Sequence, residues 1–289
     1  MRQRVFQQVD VFSRTPYRGN PLAVVLDGSD LSTEEMQSFT NWTNLSEATF
    51  VLPPTDPEAD YRVRIFCPGR ELPFAGHPTL GTCHVWLANG GKPQRDFVAQ
   101  QCGVGLVKIR RDGDLLSFAA PPLRKQGPLP KEDVERIARG LGVPESDILH
   151  HAWCDNGPNW RGVMLRSAEQ VLAIRPDAAV LAGLDVGVVG PRGKVGLIGA
   201  HDSHDECAFE VRAFFPSASG GLAEDPVTGS LNAAIGQWLF SAGLATARYV
   251  ASQGTALGRA GRVYVSQDSV GQVWVGGASV TCIEGSVLL

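Results

Sequence analysis

The 289-residue sequence predicts an α+β protein of two similar halves, each a β-sheet wrapped around its own central helix. Two observations carry that expectation. First, the chain repeats itself. Displaced by 148 positions, VRIFCPGRELPFAGHPTLGT at 63–82 falls on VRAFFPSASGGLAEDPVTGS at 211–230, matching Arg64/Arg212, Phe66/Phe214, Pro68/Pro216, Pro78/Pro226 and Gly81/Gly229. A fainter echo at a displacement of 139 places Asn20, Val24 and Leu26 on Asn159, Val163 and Leu165. Second, β-branched strand patterns and apolar helical runs recur in the same order. The halves are expected to be related by a pseudo-twofold axis.

The elements follow in order. VFQQVDVF and PLAVVLDG read as strands. LSTEEMQSFTNWT opens with a capping box, Ser32 and Glu35, and is expected to bury Met36, Phe39 and Trp42 on one face. EATFVLPP and DYRVRIFCP are strands; a helix starting around Pro78 runs through Leu80, Cys83, Trp86 and Leu87 and stops at Asn89-Gly90-Gly91. A strand pair turning at Asp112-Gly113 closes the first lobe. The proline-rich run 121–130 marks the boundary, giving lobes 1–123, joined by a returning C-terminal strand 276–289, and 124–275. The second lobe is expected to hold helices near 131–141 and 167–183, strands near 161–166, 186–199 and 207–215, and a helix from Pro226 to Ser241. RVYVSQD and QVWVGGASVTCIEGSVL then form a hairpin.

Composition narrows the function. Hydrophobic content of 43% and charged content of 19% suit a soluble globular protein with a sizeable core. A net charge of -4 with no basic face argues against a nucleic-acid partner. MRQRVFQQVDVFSR has no apolar stretch of signal or spanning length, so no membrane partner is expected and a cytoplasmic setting is. Six scattered cysteines without a CxxC pair fit reduced thiols.

The repeat sets His77 opposite Asp225 and Thr82 opposite Ser230, each near a helix start. Helix N-termini offer unpaired N–H groups and partial positive charge, which suits a small carboxylate substrate. His77 and Asp225 become candidate proton-handling groups. The plainer reading makes each a helix cap followed by proline.

These residues carry a resemblance. DVFSRTPYRGNPLAVV, NLSEATFVLP, ELPFAGHPTLGT and AEDPVTGSLNAAIG resemble the motifs of the phenazine-biosynthesis isomerase (PhzF-like) family, across nearly the whole chain. The resemblance implies the diaminopimelate-epimerase fold, with its active site in the cleft between the two halves, and a cofactor-independent isomerase. Its substrate would be a small cyclic or unsaturated carboxylic acid, of the trans-2,3-dihydro-3-hydroxyanthranilate kind. It implies that Glu47 is the general acid/base, that His77 and Asp225 hold substrate and assist proton movement, and that Gly76, Gly229 and Ser230 grip the ligand. Asn20 and Asn159 are secondary ligand contacts or, equally, turn formers. A homodimer is expected by analogy. The bland alternative for Glu47 is a solvated strand-edge charge.

Epimerases of this fold place a cysteine in each loop, whereas Ala75 and Asp225-Pro226 stand here. An amino-acid epimerase working through Cys67 or Cys83, or a non-catalytic small-acid binder, remain as alternatives. The run HDSHDE at 201–206 has metal-ligand residue types without a helical HExxH frame and reads as a solvated loop; His150-His151 likewise. No nucleotide fingerprint is present, so no metal and no cofactor are expected.

Overall fold

The computed structural model describes residues 1–193, 207–217 and 220–289; the HDSHDE run at 201–206 lies outside them. The chain forms two compact units, Met1–Ala119 with Gly276–Leu289, and Ala120–Val275. No described helix is long and apolar enough to cross a membrane.

In the first unit the strands are β1 (Gln3–Val11), β2 (Asn20–Val25), β3 (Ala48–Leu52), β4 (Tyr61–Cys67), β5 (Arg70–Leu72), β6 (Val98–Cys102), β7 (Gly105–Asp112) and β8 (Leu115–Ala119). The C-terminal strand Ser279–Leu288 returns to pair antiparallel with β1. From there the sheet runs β1–β2 antiparallel, β2–β3 parallel, β3–β4 antiparallel, β4–β6 parallel, and β6–β7–β8 antiparallel, with β5 folded back on the far end of β4.

Helix α1 (Thr33–Thr43) has its capping box in place: Ser32 Oγ accepts from Glu35 N–H, and Glu35 reaches back to Ser32 N–H. Met36 and Phe39 are buried, and Phe39, Phe50 and Phe66 stack edge to face at 5.8 and 5.7 Å. Trp42 departs from the expected face and is 82% exposed. Six residues beyond Met36 it has rotated about 240° around the axis, away from the stripe that Met36, Phe39 and Thr40 share.

Helix α2 (Gly76–Ala88) is the centre of the unit. It is buried almost all round, the property of a helix enclosed by sheet rather than lying on one. It packs against β1, β2, β3, β6, β8 and the C-terminal strand. Gly81 permits this approach: a Cβ there would lie 2.6 Å from Leu22 and 2.9 Å from Val11 side chains. Buried threonines of α2 are paired. Thr82 donates to Thr49 (2.8 Å), Gln100 donates to Thr79 (3.0 Å), and Tyr61 donates to Gln100 (2.9 Å).

The second unit begins with α3 (Lys131–Leu141) and then repeats the plan with β9 (His150–Asp155), β10 (Asn159–Met164), α4 (Ala168–Ala173), β11 (Val186–Pro191), β12 (Phe209–Pro216), β13 (Leu222–Glu224), α5 (Gly229–Ser241), β14 (Arg248–Gln253), β15 (Gly261–Gln267) and β16 (Val273–Gly277). The pairings recur: β9–β10 antiparallel, β10–β11 parallel, β11–β12 antiparallel, β12–β13 antiparallel, β12–β14 parallel and β14–β15 antiparallel. Helix α5 is buried like α2.

Differences from the expected elements have local causes. The helical stretch expected over 167–183 ends at Ala173, because Pro176 bars its predecessor from helical backbone. Of the strand expected over 186–199, Val186–Pro191 is present, and 194–199 lie outside the described residues. The helix expected from Pro226 begins at Gly229, with Thr228 at its N-cap.

The repeat is not one rigid displacement. Asn20 and Asn159, 139 residues apart, each open the second strand of a unit, and Tyr61 and Phe209, 148 apart, each open the fourth. The central helices start at Gly76 and Gly229, 153 apart. The longer connection between β12 and β13 takes up the difference. By helix position, the counterpart of His77 is therefore Ser230 rather than Asp225.

Candidate active site

In the first unit the site is built on the loop before β2. Asp10, 2% exposed at the end of β1, accepts from the N–H groups of Arg18 (2.6 Å) and Gly19 (2.7 Å) through Oδ2. Phe12 and Tyr17 both take left-handed backbone, at φ 66° and 67°. Gly19 is required because a Cβ there would collide with the Val11 carbonyl. This pinned loop delivers Asn20, fully buried, with its Nδ2 3.4 Å from His77 Nδ1. The Pro21 carbonyl accepts a hydrogen bond from the same imidazole.

His77 is the second residue of α2 and is buried; the N-cap is Ala75, which has no side chain to cap with. Burial pushes the imidazole down to about 3, against the weaker opposing pull of the Pro21 carbonyl, so the ring is neutral at physiological pH. Glu47, just before β3, turns its side chain inward and is 16% exposed, with Oε2 3.3 Å from His77 Nε2. The pair is a carboxyl group beside a neutral imidazole, not an ion pair. The solvated strand-edge alternative for Glu47 does not hold.

In the second unit Asp225 follows β13, its N–H donating to the Ala213 carbonyl at 3.0 Å. It is not a helix cap. Its Oδ2 accepts from the Thr228 hydroxyl at 2.8 Å, and Gln253 at the end of β14 donates to its main-chain carbonyl at 3.2 Å. Ser230, second in α5, accepts from Trp160 Nε1 at 3.2 Å, and its carbonyl accepts from Asn156 Nδ2 at 2.8 Å. Gly76 and Gly229 are the buried first residues of α2 and α5. Neither helix start carries a side-chain cap bond, whereas α1 and α4 are capped by Ser32 and Ser167. Two helix starts thus keep N–H groups available for an anion.

Glu47, His77 and Asn20 come together in one unit, and Asp225 and Ser230 occupy one junction in the other. Asn159 does not join them: it is exposed, and Asn156, 7% exposed, makes the bond to Ser230. Asp10, Asn156, Thr228 and Gln253 were not singled out as site residues, although Asp10 sits inside DVFSRTPYRGN and Thr228 inside AEDPVTGSLNAAIG. Their roles depend on side-chain-to-backbone bonds that no residue spacing announces. Among the described residues no group of three His, Cys, Asp or Glu could hold a metal ion.

The thiols are poorly placed for α-proton chemistry. Burial pushes Cys83 up to about 12, and burial together with the Glu47 charge raises Cys67.

A model of the phenazine biosynthesis-like protein family matches residues 9–285. The chain belongs to this family of isomerases. It is similar to antisense-enhancing sequence 1 of Schizosaccharomyces pombe, at 36% identity over 99% of both chains. It is also similar to the trans-2,3-dihydro-3-hydroxyanthranilate isomerase of Pseudomonas aeruginosa, at 32% identity over 97% of this chain and 98% of that one. Among solved structures, a phenazine biosynthesis PhzF-family protein from Enterococcus faecalis superposes over 100% of both chains, with a TM-score of 0.77 and 25% identity. The α+β plan of sheets around central helices is the fold of this family.

Proposed function

We propose that the chain isomerises a small cyclic or unsaturated carboxylic acid by moving a proton between two of its carbons, with Glu47 as the carrier. The observation that carries this reading is the Glu47 carboxyl group, 16% exposed and 3.3 Å from a neutral His77. As a carboxylate, Glu47 takes a proton from an allylic carbon, and the electron pair is delocalised into the substrate's unsaturation and carboxyl group. As a carboxylic acid it returns the proton to a second carbon, so the balance closes without an outside acid, base or redox partner. A neutral imidazole serves better than a cation beside such a group, because it does not lock the carboxylate in its charged form. The uncapped start of α2, which carries His77, would receive the substrate carboxylate. Asp225 is assigned to the same reaction through its place in the EDPVTGS motif. The name of the Pseudomonas aeruginosa relative suggests the trial substrate, trans-2,3-dihydro-3-hydroxyanthranilate.

The test follows the substrate in deuterated water by NMR. The wild-type chain is expected to convert it with deuterium entering carbon. Glu47→Gln is expected to lower turnover roughly 100-fold or more while ligand-induced stabilisation persists. Exchange in the Gln variant at the wild-type rate would remove Glu47 from the role.

A further inference from the structure

We propose that Gln253 is a positioning residue for the reaction: its amide turns the Thr228 hydroxyl into Asp225, so that Asp225 meets the substrate as a hydrogen-bond acceptor. The inference rests on the assignment of Asp225 to the active site and adds which partner group it takes.

The direction of every hydrogen in this network is fixed by main-chain atoms that have no choice. Thr228 N–H can only donate, and it bonds Gln253 Oε1 at 3.1 Å. The Asp225 carbonyl can only accept, and it bonds Gln253 Nε2 at 3.2 Å. Together they settle which end of the amide is nitrogen. Nε2 then donates to Thr228 Oγ1 at 2.9 Å, so the Thr228 proton goes to Asp225 Oδ2 at 2.8 Å. Asn232 fits the same sense, with Nδ2 donating to Gln253 Oε1 at 2.8 Å and to the Thr228 carbonyl at 2.9 Å. Turning that amide over would set oxygen against two oxygens. The hydrogens therefore run one way, from Asn232 through Gln253 and Thr228 to Asp225.

Burial keeps water from scrambling this order. Asn232 is 0% exposed, Gln253 1% and Thr228 6%. Thr228 is also the N-cap of α5, where a threonine hydroxyl ordinarily accepts from the helix's own N–H groups. It makes no such bond here. Its hydroxyl serves Asp225 instead of the helix. A carboxylate that already receives a hydroxyl proton offers the substrate its remaining acceptor positions. The substrate group that pairs with Asp225 is accordingly an N–H or O–H donor, an amine, ammonium or hydroxyl.

Two experiments test this, one of them independent of turnover. Neutron diffraction from deuterated crystals of the wild-type protein at neutral pD is expected to show deuterium on Thr228 Oγ1 directed at Asp225 Oδ2. Deuterium on Asp225 Oδ2, or a Thr228 deuteron turned toward Gln253, would overturn the proposal whatever the enzyme's activity. In the NMR assay on trans-2,3-dihydro-3-hydroxyanthranilate, Thr228→Ser is expected within a few-fold of wild type in kcat. Thr228→Val and Gln253→Glu are each expected to lose roughly ten-fold or more. A Glu at 253 offers Thr228 an acceptor and draws the hydroxyl proton away from Asp225. The double variant Thr228→Val with Gln253→Glu is expected to be no worse than either single one, because both remove the same hydrogen bond. A Thr228→Ser variant as slow as Thr228→Val, or Gln253→Glu at wild-type kcat, would sink the relay. A wild-type chain inactive on this substrate would count against the proposed function alone, leaving the neutron result to judge the network.

Discussion

His77 shows how much one side chain's surroundings settle. Its imidazole is neutral because burial lowers its proton affinity to about 3, whereas the unfolded chain takes up that proton near its ordinary value of about 6.5. The folded-state value is the lower one, so stability is full above about pH 6.5 and falls as pH drops toward 3. Between pH 7 and pH 5 the wild-type protein is expected to lose about 1 to 2 kcal/mol more unfolding free energy than His77→Gln, read from urea denaturation at the two pH values. A slope shared by both proteins would mean that another group titrates. At this scale His77, Glu47 and Asp225 stood out as candidates because motifs surround them. Asn159 lies exposed because the repeat preserves strand position, which is backbone, and not which asparagine turns inward. In the second unit that residue is Asn156, in the turn before the strand.

Elements were legible wherever periodicity or punctuation spoke: the capping box of α1, the end of α2 at Asn89, and the turn at Gly113 (φ 59°). The shortfall came at Pro176 and Pro226, where proline closed one helix early and preceded another by three residues. Helix α2 offers a test in which two effects compete. Gly81→Ala gains up to about 1 kcal/mol of helix propensity. The added methyl would press on Leu22, Val11 and Val9, all fully buried, the nearest contact being 2.6 Å. Two of the three are β-branched and cannot rotate aside, so overpacking of about 1 to 3 kcal/mol outweighs the gain. The variant is expected to melt lower than wild type by several degrees; a higher Tm would show that the strands yield.

Across the whole molecule the duplicated plan reproduces a three-residue device that the displaced alignment half revealed. Arg64 lies over Phe66 at 5.0 Å and bridges to Glu71 at 2.6 Å; Arg212 lies over Phe214 at 4.9 Å and bridges to Glu224 at 2.8 Å. In each unit the glutamate stands directly opposite the phenylalanine across the strand pair. The arginines and phenylalanines matched at 148, but the glutamates lie 153 apart, beyond the unequal connection, and so escaped an ungapped comparison. The two copies are not energetically alike. Arg212 and Glu224 are 6% and 12% exposed, and Arg212 also donates to the carbonyls of Val171 and Ile174, tying α4 to the sheet. Glu71 is 39% exposed. Arg212→Ala is expected to destabilise by about 3 to 5 kcal/mol in chemical denaturation, and Arg64→Ala by about 1 kcal/mol or less. Equal losses would contradict this ranking by burial. The placement of sulfur has a further consequence. None of the six cysteines is in a disulfide, and burial raises Cys67, Cys83, Cys102, Cys154 and Cys282 above the ordinary thiol value. Peroxide oxidises thiolates, and an oxygen acid gives it nothing comparable to attack. With Glu47 as the proposed proton carrier, turnover should continue under oxidative stress, a condition that would silence an enzyme relying on thiolates.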